Sequence, residues 1–336
     1  MITNENLKKY DPDGMHSVYN NWPDLARDAY NSEIQAVDFK DIDHVVFSGM
    51  GGSGAIGDLF SSILSKTNIH TSVVKGYTLP KTVDKNTLVV CTSVSGNTDE
   101  TLSILNTCTK LNCKIIGFSS GNMLETICKK NNIEFRKIPE THSPRTSFPS
   151  YVFSILKAIR PIIPIKEDDV NSSIDNLENL KKQISSENLS EKNISLNLAN
   201  WISGIPVIYY PWGLEASAIR FKNSLQENAK THAIIENIIE SGHNGIVSWE
   251  GESSMTPILL TGKDDHIKTK ERWNIIREYF ETKNIPYKEI STIDGGILSK
   301  IICMIYILDY SSIYYAIRLG INPSPIKSIN FIKERL

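Results

Sequence analysis

Two turns rich in glycine and hydroxyl groups each follow an apolar run typical of a β-strand. Gly49-Met50-Gly51-Gly52-Ser53-Gly54 follows residues 44–48, and Ser93-Val94-Ser95-Gly96-Asn97-Thr98 follows residues 88–92. A segment with helical periodicity comes after each turn. A strand end, a turn of backbone N–H groups and a helix N-terminus together form an anion site. Since neither turn carries a lysine, the pattern predicts a phosphate held by neutral donors, which indicates sugar-phosphate chemistry rather than nucleotide hydrolysis.

The second turn carries the stronger signal. Ser93, Ser95 and Thr98 place three hydroxyl groups within six residues, and Gly96 permits close approach of the backbone to a ligand. The alternative is that Thr98 or Asn97 only caps the helix that follows. A cap needs one such residue, so three hydroxyl groups beside a glycine favour the phosphate site.

The first turn also satisfies the G-x-G-x-x-G pattern of dinucleotide-binding proteins. That function requires an acidic residue about 20 positions further on, at the end of the next strand. The next strand ends in Lys75, while Asp58 comes too early and Asp84 too late. No Gly-Lys-Ser/Thr follows the glycines, which excludes a P-loop. A purely structural glycine turn stays open as an alternative.

Composition limits the class of protein. The chain has 336 residues, enough for about two domains, and its 36 basic and 38 acidic side chains give a net charge of −2. No nucleic acid or membrane partner is therefore expected. The five cysteines are irregularly spaced, which indicates reduced thiols in the cytoplasm. Residues 1–10 are polar, unlike a signal peptide, and the longest apolar run, residues 301–308, is too short to span a bilayer.

Short β-branched runs alternate with amphipathic segments, a pattern typical of an α/β fold in which helices cover both faces of a parallel sheet. The predicted strands of the first half are 44–48, 70–75, 87–92, 113–118 and 133–138, and the predicted helices are 22–36, 54–65, 98–111 and 122–131. In the second half the predicted strands are 205–210, 256–261 and 286–291, and the predicted helices are 214–226, 267–282 and 297–318.

The two halves are interpreted as a degenerate duplication of one α/β unit. The polar stretch from 167 to 193 is interpreted as a solvated helical connector, with a flexible linker as the alternative. The expected domains are 1–160, which holds the phosphate-binding turns, and 196–336, with the connector at 161–195 between them.

The two turns, in this order and at this distance, resemble the sugar isomerase (SIS) fold. Four further segments resemble the bifunctional phosphoglucose/phosphomannose isomerases of archaea and bacteria. They are Ser143-Pro144-Arg145, Gln226-Glu227-Asn228-Ala229-Lys230, Gly242-His243-Asn244 and a C-terminal stretch from Ser299-Lys300 to Asn322-Pro323. The resemblance covers about residues 40–335. It implies two SIS-type domains, the second with the catalytic residues and a long C-terminal helix.

The resemblance also implies roles for individual residues. Aldose–ketose isomerisation through a cis-enediolate needs a phosphate site, a base, a cation beside the developing oxyanion and groups that open the sugar ring. The implied phosphate site consists of Gly52, Ser53, Ser93, Ser95 and Thr98, and the implied catalytic residues are Glu227 as the base, Arg145 as the cation, and His243 and Lys300 for ring opening. Taken singly, each of the four catalytic candidates could also be an ordinary surface or loop residue.

The family resemblance further implies a homodimer in which His243 enters the neighbouring subunit's site, with no cofactor and no metal. The chain departs mildly from the family pattern at Gln226, where family members often have asparagine, but it keeps the carboxylate of Glu227. The threonine that leaves room for both C2 epimers is matched to Thr292. Two alternatives stay open: an SIS module that senses a sugar phosphate without converting it, and an amidotransferase-type isomerase, which would need a glutaminase domain.

Overall fold

The computed structural model describes residues 2–335. The strands are β1 (His44–Ser48), β2 (His70–Val74), β3 (Thr87–Thr92), β4 (Lys114–Ser119), β5 (Glu134–Lys137), β6 (Ile205–Tyr210), β7 (Ile234–Asn237), β8 (Met255–Thr261) and β9 (Lys288–Ser291). The α-helices are α1 (Asn4–Tyr10), α2 (Met15–Asn20), α3 (Trp22–Asn31), α4 (Gly51–Leu64), α5 (Asp99–Cys108), α6 (Asn122–Lys130), α7 (Phe148–Ala158), α8 (Glu167–Ile184), α9 (Ile194–Trp201), α10 (Glu215–Ala229), α11 (Ile238–Ser241), α12 (Ile267–Thr282), α13 (Ile297–Arg318) and α14 (Lys327–Lys333). A 3₁₀-helix covers Gly245–Glu250.

The first five strands form a parallel sheet in the order β2-β1-β3-β4-β5. Every residue of β1 and β3 is buried. Successive side chains of a strand point to opposite faces, so helices must cover both faces of the sheet. The predicted α/β class and the parallel sheet are confirmed.

The remaining four strands form a second parallel sheet in the order β7-β6-β8-β9. The first strand of each sheet lies between the second and the third, so the two sheets share one topology. This agrees with the interpretation of the chain as a degenerate duplication of one unit. β7 takes the place that β2 has in the first sheet, and no pattern in the sequence predicts a strand there.

The other predicted strands are confirmed to within two residues, and the predicted helices other than the opening one are confirmed to within three. The opening helix is an exception, because α3 ends at Asn31 rather than at residue 36. Pro23 lies in its first turn, where a missing N–H costs nothing. The helix α7 was not predicted. Ten of its side chains are buried around its whole circumference, so it shows no amphipathic period.

Helix α13 is the long C-terminal helix, with 22 residues. By length and composition alone it could cross a membrane, but 89% of its apolar window is buried inside the protein. Burial of this kind is typical of the core helix of a soluble protein, and no membrane protein is implied. In α8, which occupies most of the expected connector, Val170, Ile174 and Leu177 are buried at helical spacing.

The chain divides into two compact units. The first sheet and its helices belong to Asn21–Asp175, called here the N-terminal unit. The second sheet belongs to Asn176–Leu336, which groups with Met1–Asn20 as the C-terminal unit. Tyr19 packs in this second unit, where its ring lies 5.9 Å from the ring of Tyr310.

Candidate active site

The two glycine- and hydroxyl-rich turns follow β1 and β3, which are adjacent in the first sheet. Ser48 at the end of β1 pairs with Cys91 near the end of β3. In a doubly wound sheet of this strand order, the crevice outside the carboxyl ends of these two strands is where ligands bind. The topology therefore brings both predicted phosphate-binding turns to the position at which the fold binds its ligands.

A hydrogen bond joins the two turns. The Oγ of Ser53, in the first turn of α4, accepts a hydrogen bond from the backbone N–H of Val94 at 3.4 Å. Helix α4 begins after Met50, whose side chain makes no capping hydrogen bond. The N–H groups at a helix start lack partners within the helix and carry a partial positive charge. Ser53 and the start of α4 thus place hydrogen-bonding groups that suit an anion beside the second turn.

In the second turn, the hydroxyl groups of Ser93 and Thr98 form a hydrogen bond with each other. Ser93 Oγ lies 2.9 Å from Thr98 Oγ1 and accepts a hydrogen bond from the Gly96 N–H at 3.1 Å. Thr98 occupies the N-cap position of α5, but its side chain makes no capping hydrogen bond. The capping alternative is therefore wrong for Thr98. Its hydroxyl is directed towards Ser93 and away from the helix N–H groups.

Gly96 is required by the shape of this turn. Its φ is +72°, and a Cβ atom at this position would lie 2.0 Å from the carbonyl oxygen of Gly121. The turn after β3 is thus pressed against the turn after β4. Asn122 reinforces the contact, because its Nδ2 donates to the carbonyl oxygen of Ser95 at 2.7 Å. The half-buried Ser95 is held in place through its backbone.

Arg145 lies beside the first turn. A Cβ atom on Gly52 would be 3.4 Å from the Cα of Arg145 and 3.4 Å from the carbonyl oxygen of Pro144, so the arginine loop packs on the start of α4. The residue is only 4% exposed. The N-terminal unit therefore places the backbone of Arg145 next to the turn that carries Ser53.

Glu227 lies two residues before the end of α10, and its side chain is half-buried. The next residue, Asn228, is buried, and its Nδ2 donates to Ser312 Oγ on α13 at 2.8 Å. A cavity of about 600 Å³ opens beside Glu227. Its walls come from two segments: the end of α10 with the residues after it, and the chain that leads into α14. The lining residues are Gln226, Glu227, Lys230, Thr231, His232, Pro325, Ile326, Lys327, Ser328 and Ile329.

Lys300 does not line this cavity. It lies near the start of α13, where its ammonium group forms an ion pair with Asp264. Ser312, which binds Asn228, is 12 residues further along the same helix. At 1.5 Å per residue this is a separation of about 18 Å. Within one chain, the structure does not bring Lys300 to Glu227.

His243 lies in the turn between α11 and the 3₁₀-helix, with an exposed side chain. Its backbone N–H donates to the carbonyl oxygen of Glu240 at 2.9 Å. Thr292 is buried at the end of β9, and its Oγ1 accepts a hydrogen bond from the Lys263 N–H at 3.2 Å. Neither residue lines the cavity at Glu227.

Two lysines that carried no role in the sequence analysis do line the cavity, Lys230 and Lys327. Lys230 belongs to the Gln-Glu-Asn-Ala-Lys segment that carries part of the family resemblance, so the sequence marks its position but not the contacts of its side chain. Lys327 begins α14, and no pattern in the sequence connects it with Glu227.

Comparison with known proteins supports the expected domain pair. Residues 38–159 match the SIS domain family, and residues 191–336 match the family described as the bacterial phospho-glucose isomerase C-terminal SIS domain. A curated bifunctional phosphoglucose/phosphomannose isomerase of Caldicellulosiruptor bescii is 31% identical over 338 residues, covering 95% of this chain and 98% of that protein.

The chain belongs to the bifunctional phosphoglucose/phosphomannose isomerase family. A second relative, the D-glucosamine-6-phosphate 4-epimerase of Sulfolobus acidocaldarius, is 28% identical, over 96% of this chain and 97% of the epimerase. The crystal structure of tagatose-6-phosphate ketose/aldose isomerase from Escherichia coli superposes with a TM-score of 0.66 at 13% identity, over 95% of this chain and 93% of that one. At this identity the superposition supports the SIS fold alone.

Proposed function

We propose that the protein interconverts glucose 6-phosphate, and also mannose 6-phosphate, with fructose 6-phosphate. It is an isomerase by family, and the reaction proposed for it passes through a cis-enediolate without a metal ion. The observation that carries the proposal is the direction of the Thr98 hydroxyl. It lies 2.9 Å from Ser93 Oγ and does not cap its helix. A hydroxyl pair at the carboxyl ends of the central strands suits a phosphate oxygen.

The proposed steps follow from the residue types. The phosphate binds to the hydroxyl groups of Ser53, Ser93, Ser95 and Thr98 and to the backbone at Gly52. Glu227 removes the proton from C2 of the open-chain aldose and returns it to C1, while the hydroxyl proton moves from O2 to O1. Arg145 stabilises the negative charge of the enediolate. A buried arginine suits this role, since it remains charged and does not exchange its proton.

His243 and Lys300 are proposed for ring opening. The exposed side chain of His243 supports a role in a second copy of the chain, as expected of a homodimer. Lys300 lies about 18 Å along α13 from Ser312, the residue that binds Asn228 next to Glu227. We therefore propose that Lys300 too acts on the substrate of a partner rather than on that of its own chain. We propose that the enzyme is cytoplasmic, because its sugar-phosphate substrates and its reduced cysteines are both typical of that compartment.

A coupled assay tests the activity. Purified protein with excess chelator is given glucose 6-phosphate or mannose 6-phosphate, and fructose 6-phosphate is measured. Formation from either aldose supports the proposal, and loss of activity on chelation contradicts the metal-free mechanism. No turnover of either aldose, with retained binding of fructose 6-phosphate, favours the sensing module.

The epimerase relative gives a second candidate function. Its similarity extends over nearly the whole chain, so the assay also includes glucosamine 6-phosphate, with the C4 epimer as the product to be detected. Formation of this epimer in the absence of any aldose–ketose conversion would replace the proposed activity.

A further inference from the structure

Lys230 adopts a backbone conformation that usually belongs to glycine. It ends α10 with φ +55° and ψ +33°, in the left-handed region, and its N–H donates to the carbonyl oxygen of Leu225. Helices commonly end on a glycine in this conformation because a Cβ atom is unfavourable there. A lysine in this conformation is uncommon, and its side-chain contacts set it apart further.

The ammonium group of Lys230 binds three backbone carbonyl groups. It donates to Glu227 O at 2.5 Å, to Pro325 O at 2.8 Å and to Pro323 O at 3.3 Å. One acceptor is the backbone of the candidate base, and the other two lie more than 90 residues further along the chain. An ammonium group has three donors, so one lysine can bind all three carbonyl groups at once.

The three bonds span the two walls of the cavity at Glu227. One wall is the end of α10 with Thr231 and His232, and the other is Pro325 to Ile329. No residue of α14, which forms part of the second wall, is fully buried. The side chain of Lys230 connects the two walls directly.

We propose that Lys230 is a positioning residue for the isomerase reaction. It holds the segment from Pro323 to Lys327 against the end of α10, and so fixes both the backbone of Glu227 and the cavity that faces it. This inference rests on the proposed function, in which Glu227 is the base. Lys230 acts through Glu227 and the cavity wall and does not itself exchange a proton with the sugar.

The variant Lys230→Gly tests this role without straining the backbone, since glycine is favoured in the left-handed region. The midpoint of thermal unfolding is expected to change little, because relief of the left-handed conformation offsets the loss of the lysine's hydrogen bonds. The kcat for fructose 6-phosphate is expected to fall by about tenfold or more, because a small displacement of a reacting group can cost about a hundredfold. KM should change less than kcat, since the residues proposed to bind the phosphate belong to the N-terminal unit. Amide hydrogen exchange over residues 321–333 should accelerate.

Two further variants serve as controls. Asn284→Gly replaces another non-glycine residue in the left-handed region, with φ +54° beyond the end of α12. It should leave kcat and the exchange of residues 321–333 unchanged. Lys230→Arg keeps a cationic donor and should restore a large part of kcat, whereas Lys230→Met should behave like the glycine variant.

The outcomes separate this inference from the proposed function. If the wild type is active and Lys230→Gly keeps kcat within about twofold, or leaves the exchange of residues 321–333 unchanged, the positioning role is overturned. If the wild type itself converts neither aldose, the proposed function fails. Faster exchange in Lys230→Gly would then still show the connection between the two walls, but not its role in catalysis.

Discussion

Arg220 on α10 and Asp309 on α13 form an ion pair that is closed off from solvent. Nη2 of Arg220 lies 2.8 Å from Oδ2 of Asp309, and the two side chains are 3% and 0% exposed. Asp309 also accepts hydrogen bonds from Ser224 Oγ at 2.6 Å and from Tyr19 OH at 3.3 Å. Burial alone would lower the pKa of Arg220, but the Asp309 carboxylate raises it. The pair fixes the register between the helix that carries Glu227 and the long C-terminal helix.

The variant Asp309→Ala should strongly destabilise the C-terminal unit. It leaves the Arg220 guanidinium buried without its carboxylate, for which a loss of about 3–5 kcal/mol in the free energy of unfolding is expected. Chemical denaturation measures this loss. The matched control is Asp294→Ala, which removes the exposed ion pair with Lys263 and should cost less than about 1 kcal/mol. Equal losses in the two variants would contradict the structural role of the buried pair.

The variant Thr98→Val should weaken phosphate binding. It removes one hydroxyl donor and keeps the shape of the side chain, and a hydrogen bond to a charged group contributes about 1.5–3 kcal/mol. KM for fructose 6-phosphate should therefore rise by about tenfold or more, and the inhibition constant of inorganic phosphate should rise in parallel. Thr107→Val, at the other end of α5, is the control. An unchanged phosphate inhibition constant in Thr98→Val would remove Thr98 from the phosphate site.

The variant Arg145→Lys should lower kcat by about a hundredfold, with a smaller effect on KM. Lysine keeps the charge but loses the planar fork of donors that suits two adjacent enediolate oxygens. Steady-state kinetics give both constants. Arg160→Lys, which alters an exposed pair with Glu167, should leave both constants unchanged. A variant Arg145→Lys with normal kcat would show that the guanidinium does not stabilise the transition state.

His44 predicts a pH dependence of stability. Burial and the neighbouring His70, whose ring centroid is 4.6 Å away, lower the pKa of His44 below its usual value of 6.5. Below about pH 6.5 the unfolded chain therefore binds a proton that the folded protein rejects, and stability falls as the pH drops towards the lowered pKa. The loss of unfolding free energy from about pH 7.5 to about pH 5.5 should be smaller in His44→Gln than in the wild type. An equal loss would show that His44 does not contribute.

Most strands and the two glycine- and hydroxyl-rich turns are predictable from the sequence because their signals are local. A central strand such as β3 is buried on both faces and is therefore a continuous apolar run. The strand β7 is not predictable in this way, because its local signal is weak. It has only four residues, Ile234 is 38% exposed, and α11 begins immediately after it. An apolar run that changes from strand to helix halfway shows neither period clearly.

The catalytic candidates of the C-terminal unit depend on contacts that no local pattern encodes. Lys300 was matched by its place in a motif, but its distance from Glu227 depends on the register of α13 against α10. Lys230 binds Pro325, which lies 95 residues further along the chain. Contacts with backbone carbonyl groups demand no particular residue type from the acceptor, so the sequence around Pro325 gave no signal of its partner.

The central claim is that Glu227 moves the proton between C1 and C2, and the variant Glu227→Gln tests it most directly. The measurement is incorporation of solvent deuterium at C2 of glucose 6-phosphate, beside the binding constant of a non-isomerisable alditol 6-phosphate. Exchange should fall by about a thousandfold, within the range of general base catalysis, while binding stays within about threefold of the wild type. The exposed Glu278→Gln variant should exchange normally. Deuterium exchange retained in Glu227→Gln would contradict the account.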